Sequence, residues 1–188
     1  MPNDVLTCTV SVIDGDGETA SESTTTTVEN RVPSVTGTTI TPSTSVTTGT
    51  TLSCSATVSD DDGDTLSMTY VWTNTFTGTT YSSTTDSLTL SDSNTSPNDV
   101  IQCTVTVTDA NGGSASLSDS VTVINSDPYF TSDADLSSSV YTNSNVVCNG
   151  AAFDIDGETP TLSYTWTNSN GTTYASTTNI LALDNTIS

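Results

Sequence analysis

One stretch of this chain occurs twice: PNDVLTCTVSVIDGDGETAS begins at Pro2 and PNDVIQCTVTVTDANGGSAS begins at Pro97, a shift of 95 residues. The remainder repeats in the same way. Cys54 is answered by Cys148 and Trp72 by Trp166, each at a shift of 94. A period of this length is that of a whole domain rather than a solenoid turn, so the chain has to fold as successive copies of one unit.

The local pattern fixes the kind of unit. Ser and Thr take every second place between Val, Leu, Ile and Cys, as in TLSCSATV and CTVTVTD, which is the period-2 alternation of half-buried strands. Threonine suits a pleated outer face. Hydrophobic residues are only 32% and charged ones 12%, a balance that on composition alone suits a disordered mucin-like stalk; the alternation argues for strands instead. No helical periodicity is present. Parity points Leu52, Cys54, Ala56 and Val58 inward on one strand, Met68, Tyr70 and Trp72 on the next, and Ile101, Cys103, Val105 and Val107 on a later one. Leu88 and Leu90, then Ala115, Leu117, Val121 and Val123, follow on two more. The fold class expected is all-β.

Charge excludes whole classes of partner. The chain has 22 acidic residues, one basic residue (Arg31) and no His, a net charge of −21, so phosphate backbones and anionic membranes repel it. No apolar run approaches the roughly 18 residues that span a bilayer, and MPNDVLTCTV is not an export signal. Four cysteines within strand patterns, without His and without CxxC spacing, fit structural disulfides in an oxidising compartment. Catalysis is not expected. Histidine and lysine are absent, and the carboxylates lie on turns rather than in a recognisable cleft.

Cys54, Trp72 and Cys103 fall on three strands in the arrangement of strands B, C and F of immunoglobulin-like domains. With segments such as SCSATVSDDDGDTLSMTYVWTN, the chain resembles the bacterial Ig-like and polycystic-kidney-disease-like repeat arrays of extracellular proteins over essentially its whole length. The resemblance implies tandem β-sandwiches of about 95 residues, core packing for Trp72 and Trp166, and a Cys54–Cys103 disulfide inside one domain. It departs from the antibody pattern at Ile101, where a tyrosine is usual, and in the acidic insert between Cys54 and Trp72.

In this frame residues 1–32 supply only strands F and G of a domain, 33–127 a complete domain, and 128–188 strands A to E of a third. Each end is then an incomplete sandwich. Met1 stands where the other copy has Ser96, and Ser188 falls just before the next Pro-Asn-Asp-Val is due. Two arrangements complete the halves. Either the stretch belongs to a longer covalent array, the simpler case, or separate chains assemble head to tail, with Leu6, Cys8, Val10 and Val12 filling the open sheet of the next copy by strand complementation. Both pair Cys8 with Cys148 across a repeat or subunit boundary.

The acidic inserts are the candidate binding chemistry. Asp60, Asp62 and Asp64, and likewise Asp154, Asp156 and Glu158, lie between strands B and C. Asp14 and Asp16, or Asp109 and Asn111, lie between F and G. The resemblance gathers these loops at one end of each domain, beside linkers carrying Glu29, Asn30, Asn125 and Asp127. Carboxylates converging with no Lys or Arg nearby attract a hard cation, so calcium is expected, with the weak affinity of extracellular modules, about 10⁻⁴–10⁻³ M. The spacing is not that of an EF-hand, and the same residues also fit solvated Asx turns. Asn94 and Asn170 begin N-glycosylation sequons, a low-specificity signal. Phe76, Tyr81 and Tyr174, in Thr-rich hairpins, are candidates for an exposed contact surface.

The function expected is structural: a repeat segment of an extracellular filament, stalk or surface layer, whose partners are copies of itself or adjacent repeats. Two alternatives are the spacer of a calcium-dependent cell-surface adhesin, whose ligand would be carbohydrate or another cell, and an accessory module of a secreted polysaccharide-degrading enzyme.

Overall fold

The structure, a computed structural model, describes residues 2–137 and 139–184; Met1 and Ser188, whose places in the repeat frame are noted above, lie outside them. Among the described residues there is no helix, and every regular element is a strand. The chain divides into two units. The first comprises Met1–Val46, Thr50–Thr89 and Asn98–Val123, and the second Thr47–Gly49, Leu90–Pro97 and Ile124–Ser188.

The first unit holds a β-sandwich. One of its sheets has three strands in the order β3 (Ser34–Thr41), β4 (Thr51–Ser59), β7 (Ser87–Thr89). The other has four, in the order β6 (Thr79–Thr80), β5 (Ser67–Asn74), β8 (Val100–Thr108), β9 (Ser114–Thr122). Strand β8 is central, paired to β5 from Ser67↔Thr108 to Asn74↔Ile101 and to β9 along its whole length. Its inward residues Ile101, Cys103, Val105 and Val107 are fully buried, at 0% exposure. At roughly 1.5–3 kcal/mol per buried aliphatic side chain, the three besides Cys103 contribute a large share of a small domain's cohesion. The disulfide Cys54–Cys103 joins β4 to β8 and so ties the two sheets together. Trp72, also fully buried, donates its indole N–H to the Thr85 carbonyl at 2.9 Å.

Three residues depart from the reading of the sequence. Met68, at the start of β5, and Leu117, on the edge strand β9, are about two-fifths exposed, because the ends and edges of a small sandwich have no covering layer. Tyr81 is buried in the core and its N–H donates to the Trp72 carbonyl, so it is not part of an exposed surface. Phe76 remains exposed.

The same unit carries the hairpin of β1 (Val5–Ile13) and β2 (Thr19–Thr27), which pair from Val5↔Thr27 to Ile13↔Thr19. Its turn copies the turn between β8 and β9. Asp14 Oδ1 accepts from the N–H of Asp16 and of Glu18, as Asp109 Oδ1 accepts from those of Asn111 and Gly113, and Gly17 and Gly112 both occupy the left-handed region at φ 92° and 91°. Burial is where the two hairpins differ. Every residue of β1 and β2 is exposed, and Leu6, Val10 and Val12 stand at 57%, 68% and 64% where Ile101, Val105 and Val107 are at zero.

The second unit contains a sheet in the order β10 (Tyr129–Leu136), β11 (Asn145–Phe153), β14 (Ile180–Ala182), and a ribbon of β12 (Trp166–Thr167) with β13 (Thr173–Tyr174). Its skeleton repeats part of the sandwich. Val146 pairs with Leu181 as Leu52 pairs with Leu88, and Leu136 stands opposite Cys148 as Ile40 stands opposite Cys54. The Trp166 indole donates to the Thr178 carbonyl at 3.0 Å, and the Cys148 N–H to the Asn179 carbonyl at 2.9 Å, the counterparts of Trp72 to Thr85 and Cys54 to Asp86. Among the described residues of this unit there is no counterpart of the central strand β8. Residues 161–168, the counterpart of β5, are strand only at Trp166–Thr167, and among the described residues they pair with β13 alone. Leu136 is correspondingly 55% exposed, whereas Ile40 is fully buried.

Candidate functional site

The acidic segment of the first unit leaves β4 at Ser59 and turns through Asp60–Asp64, with Gly63 at φ 74°. Asp60 Oδ1 closes the turn by accepting from the N–H of Asp62 at 2.8 Å and of Asp64 at 3.3 Å. This folding back brings one oxygen from each of Asp60, Asp62 and Asp64 within 4.8 Å of one another, the one such acidic group among the described residues. Asp60 Oδ2 and the side-chain carbonyl oxygen of Asn30 are buried without a hydrogen-bond donor. A buried anionic oxygen with no donor is costly, and a hard cation is the partner that satisfies it. The group therefore offers oxygen ligands to a metal ion.

The neighbouring groups are more engaged than the sequence suggests. Arg31 lies at this site, contrary to the expected absence of basic residues. Its backbone N–H donates to Asp62 Oδ2 at 2.7 Å and its guanidinium pairs with Asp61 at 3.2 Å, both side chains being largely exposed. Asn111 donates to Asp64 Oδ2 at 2.6 Å and accepts from the Asn3 side chain at 2.9 Å. Asp109 forms a turn: its carboxylate accepts from the Asn30 amide at 2.9 Å and from the N–H groups of Asn111 and Gly113. The Asn30 amide, helped by the backbone N–H groups of Gly113, Asn111 and Gly112 and opposed by burial, holds Asp109 below the usual carboxylate pKa.

In the second unit Asp154 and Asp156 are buried while Glu158 is exposed. Asp154 Oδ1 accepts from the Asp156 N–H at 2.8 Å, and Asp156 Oδ2 accepts from the Ser126 N–H at 2.6 Å. Burial pushes the Asp156 pKa up, but the facing Thr48 hydroxyl, the N–H and hydroxyl of Ser126, and the Thr48 N–H outweigh it, and the net shift is downward. Ser126 to Asp156 is thus the counterpart of Arg31 to Asp62: in both, a linker N–H is captured by the middle aspartate of the insert. Asp154, Asp156 and Glu158 do not converge as Asp60, Asp62 and Asp64 do, and Asp14 and Asp16 lie on the exposed hairpin turn. Asn94 and Asn170 are both exposed.

The uncovered strand faces form the other candidate site. On the hairpin, Cys8 is an exposed free thiol within the row Leu6, Val10 and Val12. On the second unit, Cys148 is a half-buried free thiol in a shallow groove with Ala134, Leu136, Tyr164 and Trp166. Their counterparts Cys103 and Cys54 are bonded to each other.

One buried polar pair escapes a reading by hydrophobic parity. Asn74 and Asp99 are both buried, and the Asn74 amide donates to Asp99 Oδ2 at 2.7 Å. Their counterparts are Asn168 and Asp4, and the signal was available in the repeated WTN and PND segments.

No known family model matches the chain, and none of the curated proteins is similar to it. No helix among the described residues is long and apolar enough to cross a membrane.

Proposed function

We propose that this chain is a structural module of an extracellular linear array, built from tandem immunoglobulin-like sandwiches and joined head to tail by completion of partial domains. One observation carries the reading: an ordered half-sandwich and an ordered hairpin each present, uncovered, the strand face that is sealed in the intact sandwich. The disulfide supports an oxidising location, and the exposed Thr and Ser faces with a net charge of −21 suit a solvated, mutually repelling thread. We further assign calcium to the group of Asp60, Asp62 and Asp64, where the ion would stiffen the join between the hairpin and the sandwich by relieving carboxylate repulsion.

Electron microscopy of the concentrated protein tests the array. The expected result is unbranched threads with beads about 40 Å apart, the length of strands of ordinary size with their turns. Uniform isolated particles at every concentration would refute it. For calcium, isothermal titration on the protein and on D60N/D62N should show millimolar-range binding lost in the variant.

A further inference from the structure

We propose that Asn170 is a glycan attachment site: its side-chain amide, at the tip of the β12–β13 ribbon, is the acceptor for an N-linked oligosaccharide added as the chain is exported. The inference rests on the extracellular location in the reading above and not on how the repeats are joined.

The segment Asn170-Gly171-Thr172 has the acceptor spacing, an amide followed two residues later by a hydroxyl. The structure places it on a tight turn that closes without using either group. Asn168 does the closing. Its Oδ1 accepts from the N–H of Asn170 at 3.0 Å and of Thr172 at 2.9 Å, its N–H donates to the Thr172 carbonyl at 3.1 Å, and its carbonyl accepts from the Gly171 N–H at 3.0 Å. Gly171 lies in the left-handed region at φ 81°, which a side chain would strain. Among the described residues neither the Asn170 side-chain amide nor the Thr172 hydroxyl has a hydrogen-bond partner, and all three residues are exposed.

That exposure does not depend on what covers the rest of the unit. The corresponding turn of the intact sandwich joins β5 to β6, and there Asn74 Oδ1 accepts from the N–H of Phe76 at 3.1 Å and of Thr77 at 3.2 Å. With every strand of that sandwich in place, residues 75–78 all remain exposed and Phe76 stands at 74%. A bulky, hydrophilic substituent at this tip therefore extends into water and displaces no packed side chain.

Asn94, which begins the other acceptor sequence, is differently placed. Its Oδ1 accepts from the Ser91 N–H at 3.1 Å and from the Thr95 hydroxyl at 2.7 Å, Thr95 is itself buried, and Ser96 is engaged as well. The polar groups of that sequence are committed to the fold, and those of Asn170 and Thr172 are not.

The transfer balances without a change of oxidation state. The Asn170 nitrogen attacks the anomeric carbon of an oligosaccharide carried on a lipid diphosphate. The bond from that carbon to the diphosphate oxygen breaks, the lipid diphosphate leaves with the electron pair, and the amide nitrogen gives up one proton to a base of the transferase.

The test is secretion of the whole chain, behind a cleavable export signal, from a cultured animal cell that supplies the lipid-diphosphate donor and its transferase. The secreted protein should run on electrophoresis as a heavier band that peptide-N-glycosidase collapses. Release in H₂¹⁸O should leave one ¹⁸O at Asn170, which separates a removed glycan from spontaneous deamidation in ordinary water. N170Q and T172A should each lose the heavier band, T172S and N94Q should keep it, and N170Q should melt at the temperature of the unsubstituted chain. No glycan at Asn170, or one at Asn94, would overturn the inference. Peptide mass spectrometry of the Cys54–Cys103 link in the same sample checks the extracellular reading separately: a formed disulfide without a glycan overturns the site alone, and reduced cysteines without a glycan overturn both.

Discussion

At the scale of single residues, the fold depends on one covalent tie in the first unit and on carboxylates held by specific donors in both units. The Cys54–Cys103 bond spans a sequence separation of 49, for which loop-closure entropy gives about 4 kcal/mol in a chain-entropy treatment. Urea unfolding of C54A/C103A should therefore show a loss of that order, large against a net stability of about 5–15 kcal/mol. Asp109 and Asp156 supply a pH dependence of definite sign. Both have folded pKa values below the ordinary 3.8, so their contribution is complete above that value and is lost as the pH falls through it, when the unfolded chain takes up protons first. The melting temperature should be level from about pH 7 to 5 and fall below about pH 4, and D109N/D156N should flatten the acid limb. An unchanged acid limb in that variant would mean other carboxylates control it.

At the scale of elements, identical patterns have different energetic meaning according to what faces them. Val105 and Val10 occupy the same place in the same sequence frame, yet one is sealed and the other is 68% exposed. V105S should destabilise the sandwich by roughly 2–3 kcal/mol, since it removes a buried aliphatic group and buries a hydroxyl. V10S should leave the melting temperature of the isolated chain unchanged and abolish assembly, a contrast that thermal melts and sedimentation velocity would read directly. This contrast also marks what the sequence makes legible. Alternation identifies β4, β8 and the hairpin, and the spacing of Cys54, Trp72 and Cys103 locates the core, because strand parity is a local property. Exposure depends on a neighbour that the local pattern does not encode, so Met68 and Leu117 read as core although they lie at a strand start and a sheet edge. The acidic site was legible in composition but only partly in geometry. The convergence of Asp60, Asp62 and Asp64 follows from an Asx turn that their spacing announces, whereas Asn30 and Arg31 reach it from a linker with no pattern of its own.

At the scale of the whole molecule, like charge opposes every association between copies. With −21 per chain, repulsion between exposed charges reaches about 8 Å at physiological ionic strength and is screened beyond it, so threads of the proposed array should lengthen as salt rises. The joint between copies concentrates this effect. Within the chain, the join of hairpin and sandwich brings Asp109 and Gly113 beside Asn30 and Val32. In the proposed array the same places at a joint would be taken by Asp14, Asp16 and Glu18 on one side and Asn125, Ser126 and Asp127 on the other, with no basic residue among them. Sterics add to charge at one position: a Cβ on Gly113 would crowd Asp109 Oδ2 and lie 3.1 Å from the Val32 Cα, and the counterpart residue is Glu18. E18G should remove that crowding and one negative charge from the turn. Relief of about 1 kcal/mol would lower the protein concentration at which threads appear by about fivefold. Light scattering against concentration at fixed salt measures that threshold. A gain that shrinks as sodium chloride is raised identifies charge as the cause, a gain independent of salt identifies crowding, and no gain at all means that the Glu18 turn does not enter the joint in the register of β8 and β9.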